Sequence, residues 1–224
     1  MAASAPAHRT HRPRQTGPGA GARLLRFDRV ERAAHWANAV LFAIVMCTAL
    51  PLYFGQIEAL IGRRALVEEI HVYAGLALPV PLLISLAGSW GRRMRDDMRR
   101  FALWRRDEVR WLLALGRRPV AAFDKFNPGQ KMNALFTGGA IVVMLGTGCV
   151  MKWFGLFPVS WRAGATFVHD VLAWAIFIIV AGHIGFALTH RDALRSMVRG
   201  WIPEAWAERH ANGWLAEQRS SRSE

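Results

Sequence analysis

Residues 171–190 read VLAWAIFIIVAGHIGFALTH, a run of twenty residues without one Asp, Glu, Lys or Arg. Three other stretches of similar length share this property: 33–57, 70–91 and 132–151. An α-helix needs about 20 apolar residues to cross a bilayer. None of the four stretches alternates at every second residue, as a transmembrane barrel strand does. The sequence therefore predicts an all-α membrane protein, a bundle of four transmembrane helices.

Helix start and stop signals divide the chain into one membrane domain and two tails. We expect helices at about 32–54, 69–90, 129–151 and 163–189, within a domain of residues 23–208. The connecting loop 91–128 carries Met94, Met98 and Phe101 at helical spacing, which predicts a short helix at the membrane surface. Residues 1–22, rich in Ala, Pro, Gly and Arg, are predicted to be a disordered cytoplasmic tail, and 209–224 a second cytoplasmic tail.

The basic residues are concentrated on one side of the predicted bundle. The net charge of +13 would ordinarily suggest nucleic-acid binding, but 25 of the 29 Lys and Arg residues lie in the two terminal segments and the middle loop. The positive-inside rule assigns that side to the cytoplasm. The charge thus indicates a multi-pass membrane protein with both termini cytoplasmic. Anionic lipid head groups or haem propionates are the expected partners of some of these arginines, and nucleic acid is not.

Four histidines lie in or beside the uncharged segments, where an imidazole is costly unless it has a function. Fourteen residues, nearly four helical turns and about 21 Å, separate His169 from His183, so both project from one face of the fourth helix. Depth pairs His35 with His183 near the cytoplasm and His71 with His169 near the periplasm. Two imidazoles at each depth predict two b-type haems with all four histidines as iron ligands. The alternatives are hydrogen-bonded or proton-relay histidines, or direct ligation of zinc or copper.

Glycines occur close to the predicted ligands. Gly75 lies one helical turn after His71, and Gly182 and Gly185 flank His183. They are explained equally well by close approach of a flat macrocycle and by helix–helix contact.

Several short motifs resemble the di-haem cytochrome b subunit of membrane-bound formate dehydrogenase. They are Glu31-Arg-Ala-Ala-His35-Trp36, Ile70-His71 with Gly75 behind it, and the two histidines of the fourth helix. More specific is Lys125-Phe-Asn-Pro-Gly-Gln-Lys131, which is similar to that family's Lys-Tyr/Phe-Asn-Ala-Gly-Gln-Lys segment. The resemblance extends over about residues 24–216. This chain departs from the pattern at Pro128, where Ala is usual.

The resemblance implies a path for electrons and a set of partners. A molybdenum or tungsten catalytic (alpha) subunit oxidises formate, and an iron–sulfur (beta) subunit passes the electrons to the periplasmic haem. The cytoplasmic haem then reduces menaquinone or ubiquinone at a site that maps to Asn127, Gly129, Gln130 and His183. From the residues alone, Asn127-Pro-Gly is equally a turn into the third helix. The resemblance also allows a higher oligomer of the complex.

Other functions remain open at this point. The histidine pattern is shared with cytochrome b subunits of hydrogenases and other quinone-linked oxidoreductases, whereas the segment before the third helix favours formate dehydrogenase. A haem-free membrane anchor or carrier is a third hypothesis. The uncharged centres of the spans disfavour it, because coupled transport usually uses intramembrane charges.

Overall fold

The computed structural model describes residues 22–223, and within this range the protein is a bundle of α-helices with one short sheet. Four helical segments are long and apolar enough to cross a membrane: Arg29–Tyr53, Arg64–Leu86, Pro128–Lys152 and Val159–Thr189. Large apolar side chains lie on their outer surfaces; Val142 is 69% and Ile178 71% exposed. Such a surface suits hydrocarbon, where helices satisfy their own backbone polar groups. The predicted all-α class and the four candidate spans are confirmed.

The helices are, in chain order, α1 (Arg29–Tyr53), α2 (Gly55–Ile61), α3 (Arg64–Ala77), α4 (Val80–Leu86), α5 (Arg92–Ala102), α6 (Arg106–Leu113), α7 (Pro128–Lys152), α8 (Val159–Thr189), α9 (Arg191–Arg199), α10 (Glu204–His210) and α11 (Asn212–Ser223). A 3₁₀ helix, Phe154–Leu156, connects α7 to α8. The strands are β1 (Arg23–Leu25) and β2 (Trp201–Pro203).

The observed spans differ from the predicted ones mainly at their ends. Span one begins at Arg29 because Asp28 and Glu31 form a capping box, so the helix extends into charged sequence. Span two begins at Arg64, five residues earlier than predicted, and is divided between α3 and α4. The division falls at Pro79, since proline lacks the N–H that a continuous helix requires and its ring clashes with the preceding turn.

The spans pack as two antiparallel hairpins. α1 packs against α3 and α4, and α7 packs against α8, while α3 also contacts α7. We call the end with the β1–β2 sheet the sheet end, and the end with α2 and the 3₁₀ helix the hairpin end. Both ends of the described chain lie at the sheet end, so the two hairpins enter and leave the bundle on the same side.

A small folded cap covers the sheet end. β1 pairs antiparallel with β2, with Leu24 opposite Ile202, and both side chains are buried. Trp214 and Leu215 of α11 are 3% exposed and complete this core. The predicted tail 209–224 is, within its described part 209–223, largely helical and belongs to the cap, because its apolar residues pack against the sheet. The predicted tail 1–22 lies, apart from Ala22, outside the described residues.

The loop 91–128 forms two short helices, α5 and α6, instead of the one that was predicted. Glu108 of α6 is 1% exposed and pairs with Lys131 of α7 over 2.8 Å. The Lys131 ammonium also donates to the Leu103 carbonyl over 3.1 Å. These bonds tie the connection to the start of the third span.

Candidate functional site

The structure brings the four histidines together in two pairs, the same pairs that depth predicted. The ring centres of His35 and His183 are 6.2 Å apart at the sheet end, with 58° between the ring planes. Those of His71 and His169 are 6.4 Å apart toward the hairpin end, with 59° between the planes. α8 contributes one histidine to each pair, while α1 and α3 contribute the others.

These separations fit two imidazoles on opposite sides of one iron atom. A metal–imidazole nitrogen bond is about 2 Å long, and the ring centre lies roughly 1 Å beyond the nitrogen, so trans ligands have ring centres about 6 Å apart. Both observed values agree with this distance. The two pairs therefore have the spacing of bis-imidazole haem ligation without any movement of the helices.

Hydrogen bonds fix the tautomer of His71. Its Nδ1 lies 3.1 Å from the carbonyl oxygen of Val45 and 3.0 Å from Thr48 Oγ1. A carbonyl only accepts hydrogen bonds, so Nδ1 carries the proton. The lone pair of the ring is therefore on Nε2, the nitrogen that remains for a metal.

His169 has an equivalent arrangement in the second hairpin. Its Nδ1 lies 2.9 Å from Thr147 Oγ1. The Thr147 hydroxyl donates its one proton to the Val143 carbonyl over 2.8 Å, so it accepts from His169. Metal-binding histidines almost always donate their second N–H in this way, which orients the ring and raises its basicity.

A cavity of about 410 Å³ lies beside this pair. His71 and His169 line it together with mostly apolar residues of α1, α3, α7 and α8. Gly75 is part of the lining, and a Cβ atom added there would meet nothing within 4 Å. At Gly148 an added Cβ would lie 3.5 Å from the His169 ring. The volume and apolar lining are typical of a cofactor pocket.

The glycines near His183 lie in open space as well. A Cβ atom added at Gly182 or Gly185 would meet nothing within 4 Å. This space accommodates a macrocycle or a lipid chain equally well, so neither explanation of these two glycines gains from the structure.

The residues assigned to quinone by resemblance form the start of α7. Asn127 Oδ1 accepts from the Gln130 backbone N–H over 2.9 Å, and Gln130 Oε1 accepts from that of Asn127 over 3.1 Å. This capping box is the turn into the third span that was the alternative explanation of Asn127-Pro-Gly. At Gly129 an added Cβ would lie 3.3 Å from Asn127 Oδ1. Among the described residues no hydrogen bond joins these three to His183, so the structure assembles only part of the predicted group.

The sequence analysis missed three polar residues beside the histidines. Thr48 and Thr147 each precede their histidine by 22 or 23 residues, on the facing helix of the same hairpin. This repeated spacing is the signal that was available. Asn38, three residues after His35, has a buried Oδ1 without a hydrogen-bond partner within residues 22–223. Buried acceptors in proteins almost always have a hydrogen-bond donor, so the donor to Asn38 Oδ1 is expected to come from a bound group, a water molecule or another protein.

Known proteins provide an independent comparison. A sequence model of the family described as prokaryotic cytochrome b561 matches residues 26–200. The cytochrome b556 subunit of formate dehydrogenase from Haemophilus influenzae is 25% identical over 214 residues, covering 90% of this chain and 86% of the relative. A corresponding Escherichia coli K12 subunit is 25% identical over 208 residues, covering 88% and 94%. The nitrate-inducible subunit of the same strain is 22% identical over 206 residues, covering 87% and 91%.

The family match fits the geometry of the bundle. It includes all four spans and all four paired histidines. The family implies b-type haem, and the histidine pairs are chemically suited to hold it. This integral membrane protein belongs to the prokaryotic cytochrome b561 family.

Proposed function

We propose that this chain is the membrane cytochrome b subunit of a formate dehydrogenase and transfers electrons across the membrane to a quinone. The observation that carries the proposal is the pair of imidazole separations, 6.2 Å and 6.4 Å, at two depths of one bundle. The names of the relatives support formate as the electron source. Formate oxidation itself is assigned to a molybdenum or tungsten subunit, with an iron–sulfur subunit between the two.

Each histidine pair is proposed to hold one b-type haem. His35 and His183 are the iron ligands at the sheet end, and His71 and His169 those at the hairpin end. A haem iron with two imidazole ligands has no open coordination position, so when bound it supplies one-electron transfer and not oxygen chemistry. The Nδ1 hydrogen bonds of His71 and His169 leave Nε2 of each ring as the nitrogen that would bind iron.

The direction of transfer follows from the distribution of charge. Of the 26 basic residues within the described range 22–223, 22 belong to the segments at the sheet end, which is proposed to face the cytoplasm of a bacterial inner membrane. Electrons then arrive at the hairpin end and leave at the sheet end. Menaquinone or ubiquinone is proposed to bind near Asn127, Gly129, Gln130 and His183. The side-chain NH₂ groups of Asn127 and Gln130 support this, because neither donates within the capping box and both can donate to a quinone carbonyl.

Expression of the chain in bacterial membranes tests the haem assignment. We expect a b-type spectrum with two haems per chain, and one haem after His71→Ala. His190→Ala is the matched control, because His190 directly follows α8 and stacks on Phe186 with ring centres 3.8 Å apart instead of facing another histidine. This control is expected to retain both haems. Inserted protein without haem, or loss of haem from the control alone, contradicts the proposal.

The identity of the electron donor requires a separate measurement. Co-purification with an iron–sulfur protein and a molybdopterin enzyme, together with formate-dependent reduction of the b-type spectrum, is the expected result. A nickel–iron partner with hydrogen-dependent reduction would assign the chain to a hydrogenase and leave the haem ligands as proposed.

A further inference from the structure

Three ionisable side chains are buried together at the sheet end. Lys125 Nζ donates hydrogen bonds to Glu31 Oε1 and to Asp97 Oδ2, each over 2.6 Å. The three side chains are between 4% and 7% exposed. They come from α1, from α5 and from the segment before α7, so the cluster lies where three parts of the chain meet. We call these three residues the acid–lysine cluster.

The acid–lysine cluster has one carboxyl group more than its lysine can neutralise. The carboxyl groups of Glu31 and Asp97 both accept from the one Lys125 ammonium, so they are held close together in a buried site where two negative charges are unfavourable. Burial raises the pKa of Asp97 to about 8, although the charge of Lys125 opposes the shift. Asp97 therefore holds a proton at neutral pH and releases it in the mildly alkaline range.

Two arginines face the cluster from neighbouring segments. Arg26, just after β1, is 2% exposed and interacts electrostatically with Asp97. Burial lowers the pKa of Arg26 to about 10, so its charge is constant over the range in which Asp97 titrates. Nε of Arg93, on α5, lies 3.6 Å from Glu31 Oε2 and 3.8 Å from Asp28 Oδ2. The backbone N–H of Asp28 also donates to Glu31 over 2.5 Å.

The cluster is close in sequence to residues of the proposed quinone site. Lys125 is two residues before Asn127, and Glu31 is one helical turn before His35 on α1. The Arg93 side chain, whose Nε lies 3.6 Å from Glu31 Oε2, is 40% exposed at the sheet end. The cluster is thus near the proposed quinone site along the chain and near an exposed arginine in space, a position that suits a group exchanging protons with both.

A second buried ion pair, between α6 and α7, provides a comparison for the acid–lysine cluster. Glu108 and Lys131 are 1% and 3% exposed and form a one-to-one pair over 2.8 Å. That pair has one carboxylate for one ammonium, whereas the Lys125 ammonium bonds to two carboxyl groups.

We propose that Asp97 and Glu31 form a proton relay that supplies the quinone site from the aqueous phase at the sheet end. The inference rests on the proposed function. Reduction of a quinone to a quinol takes two electrons, which come from formate, and two protons. Asp97 gives up its carboxyl proton toward the quinone oxygen and becomes a carboxylate. It then regains a proton from water through Glu31, and the cycle repeats for the second proton.

The test compares electron input with quinone reduction in membranes that contain the whole complex. Asp97→Asn is expected to retain both haems and formate-driven reduction of the b-type spectrum, but to reduce quinone at least about tenfold more slowly below pH 8. The wild-type rate should fall as pH rises through about 8, and this step should be missing in the variant. Asp97→Glu should restore the step. Glu108→Gln is the control: any loss that it causes should be equal at all pH values.

A second measurement does not depend on turnover. Infrared difference spectra of the wild type should show the carbonyl band of a protonated carboxyl group that disappears near pH 8, and Asp97→Asn should lack it. Absence of this band, or a loss in Asp97→Asn that is the same at every pH, would overturn the relay. If the wild type is reduced by formate but forms no quinol while the band is present, the quinone assignment fails and not the buried proton.

Discussion

The two threonines that hold the hairpin-end histidines have unequal importance, and this allows a sharp test of the haem-ligand assignment. Thr147→Val removes the hydroxyl that accepts from His169 Nδ1, the one partner of that nitrogen within residues 22–223. Thr48→Val removes the corresponding hydroxyl from His71, but the Val45 carbonyl remains 3.1 Å away. Valine matches threonine in shape, so both substitutions change hydrogen bonding more than packing.

The expected magnitudes follow from this difference. A donor that loses its last partner costs about 1–3 kcal/mol, so Thr147→Val should weaken haem binding at the hairpin end by about 5- to 150-fold. A donor that retains a second acceptor loses about 0.5–1 kcal/mol, so Thr48→Val should weaken it by only about two- to fivefold. Loss of the hydrogen bond also lowers the basicity of the imidazole, so the reduction potential at the His71–His169 pair should rise in Thr147→Val.

Haem retention during urea titration and a potentiometric titration of the b-type spectrum measure these effects. Thr166→Val is the control, because Thr166 lies three residues before His169 and bonds only to its own helix, at the Arg162 carbonyl 3.0 Å away. It should leave both haems unchanged. Equal effects of Thr48→Val and Thr147→Val, or a shift in the potential of the sheet-end haem, would refute the tautomer assignment.

Two further substitutions test the cavity and the cap. Gly75→Leu should fill the cavity beside His71 and His169 and prevent haem from binding at the hairpin end. Gly138→Leu is the control, because Gly138 also has open space around it but does not line the cavity, and it should retain both haems. The haem-to-protein ratio measures both effects. Arg26→Met leaves the Lys125 carbonyl, 2.9 Å from the guanidinium, without this donor and should cost about 1–3 kcal/mol. Faster protease cleavage after β2 would report it, and Arg219→Met, at a 56% exposed side chain, should behave like the wild type.

The pairing of the histidines could be predicted because it depends only on how deep each histidine lies in the membrane. Depth along the membrane normal follows from counting residues from the end of each span, and it correctly joins His35 with His183 and His71 with His169 in space. The threonine partners depend on how one helix is rotated against its neighbour, which counting does not provide. The four spans could likewise be predicted, because the length of each uncharged stretch is enough to identify a span. The ends of the spans could not, because they depend on local hydrogen bonds such as the capping box of Asp28 with Glu31.

The two ends of the bundle differ chemically in a way that suits opposite tasks. At the hairpin end, hydrogen bonds to hydroxyl and carbonyl oxygens fix the rings of His71 and His169, and the lining of the cavity is mainly apolar. Such surroundings favour electron transfer without proton exchange. At the sheet end Glu31 of the acid–lysine cluster lies one helical turn from His35, so Asp97, with a pKa of about 8, would supply protons to the proposed quinone site. With quinone reduced at that end, as proposed, electron flow toward it would be coupled to proton uptake from the same side.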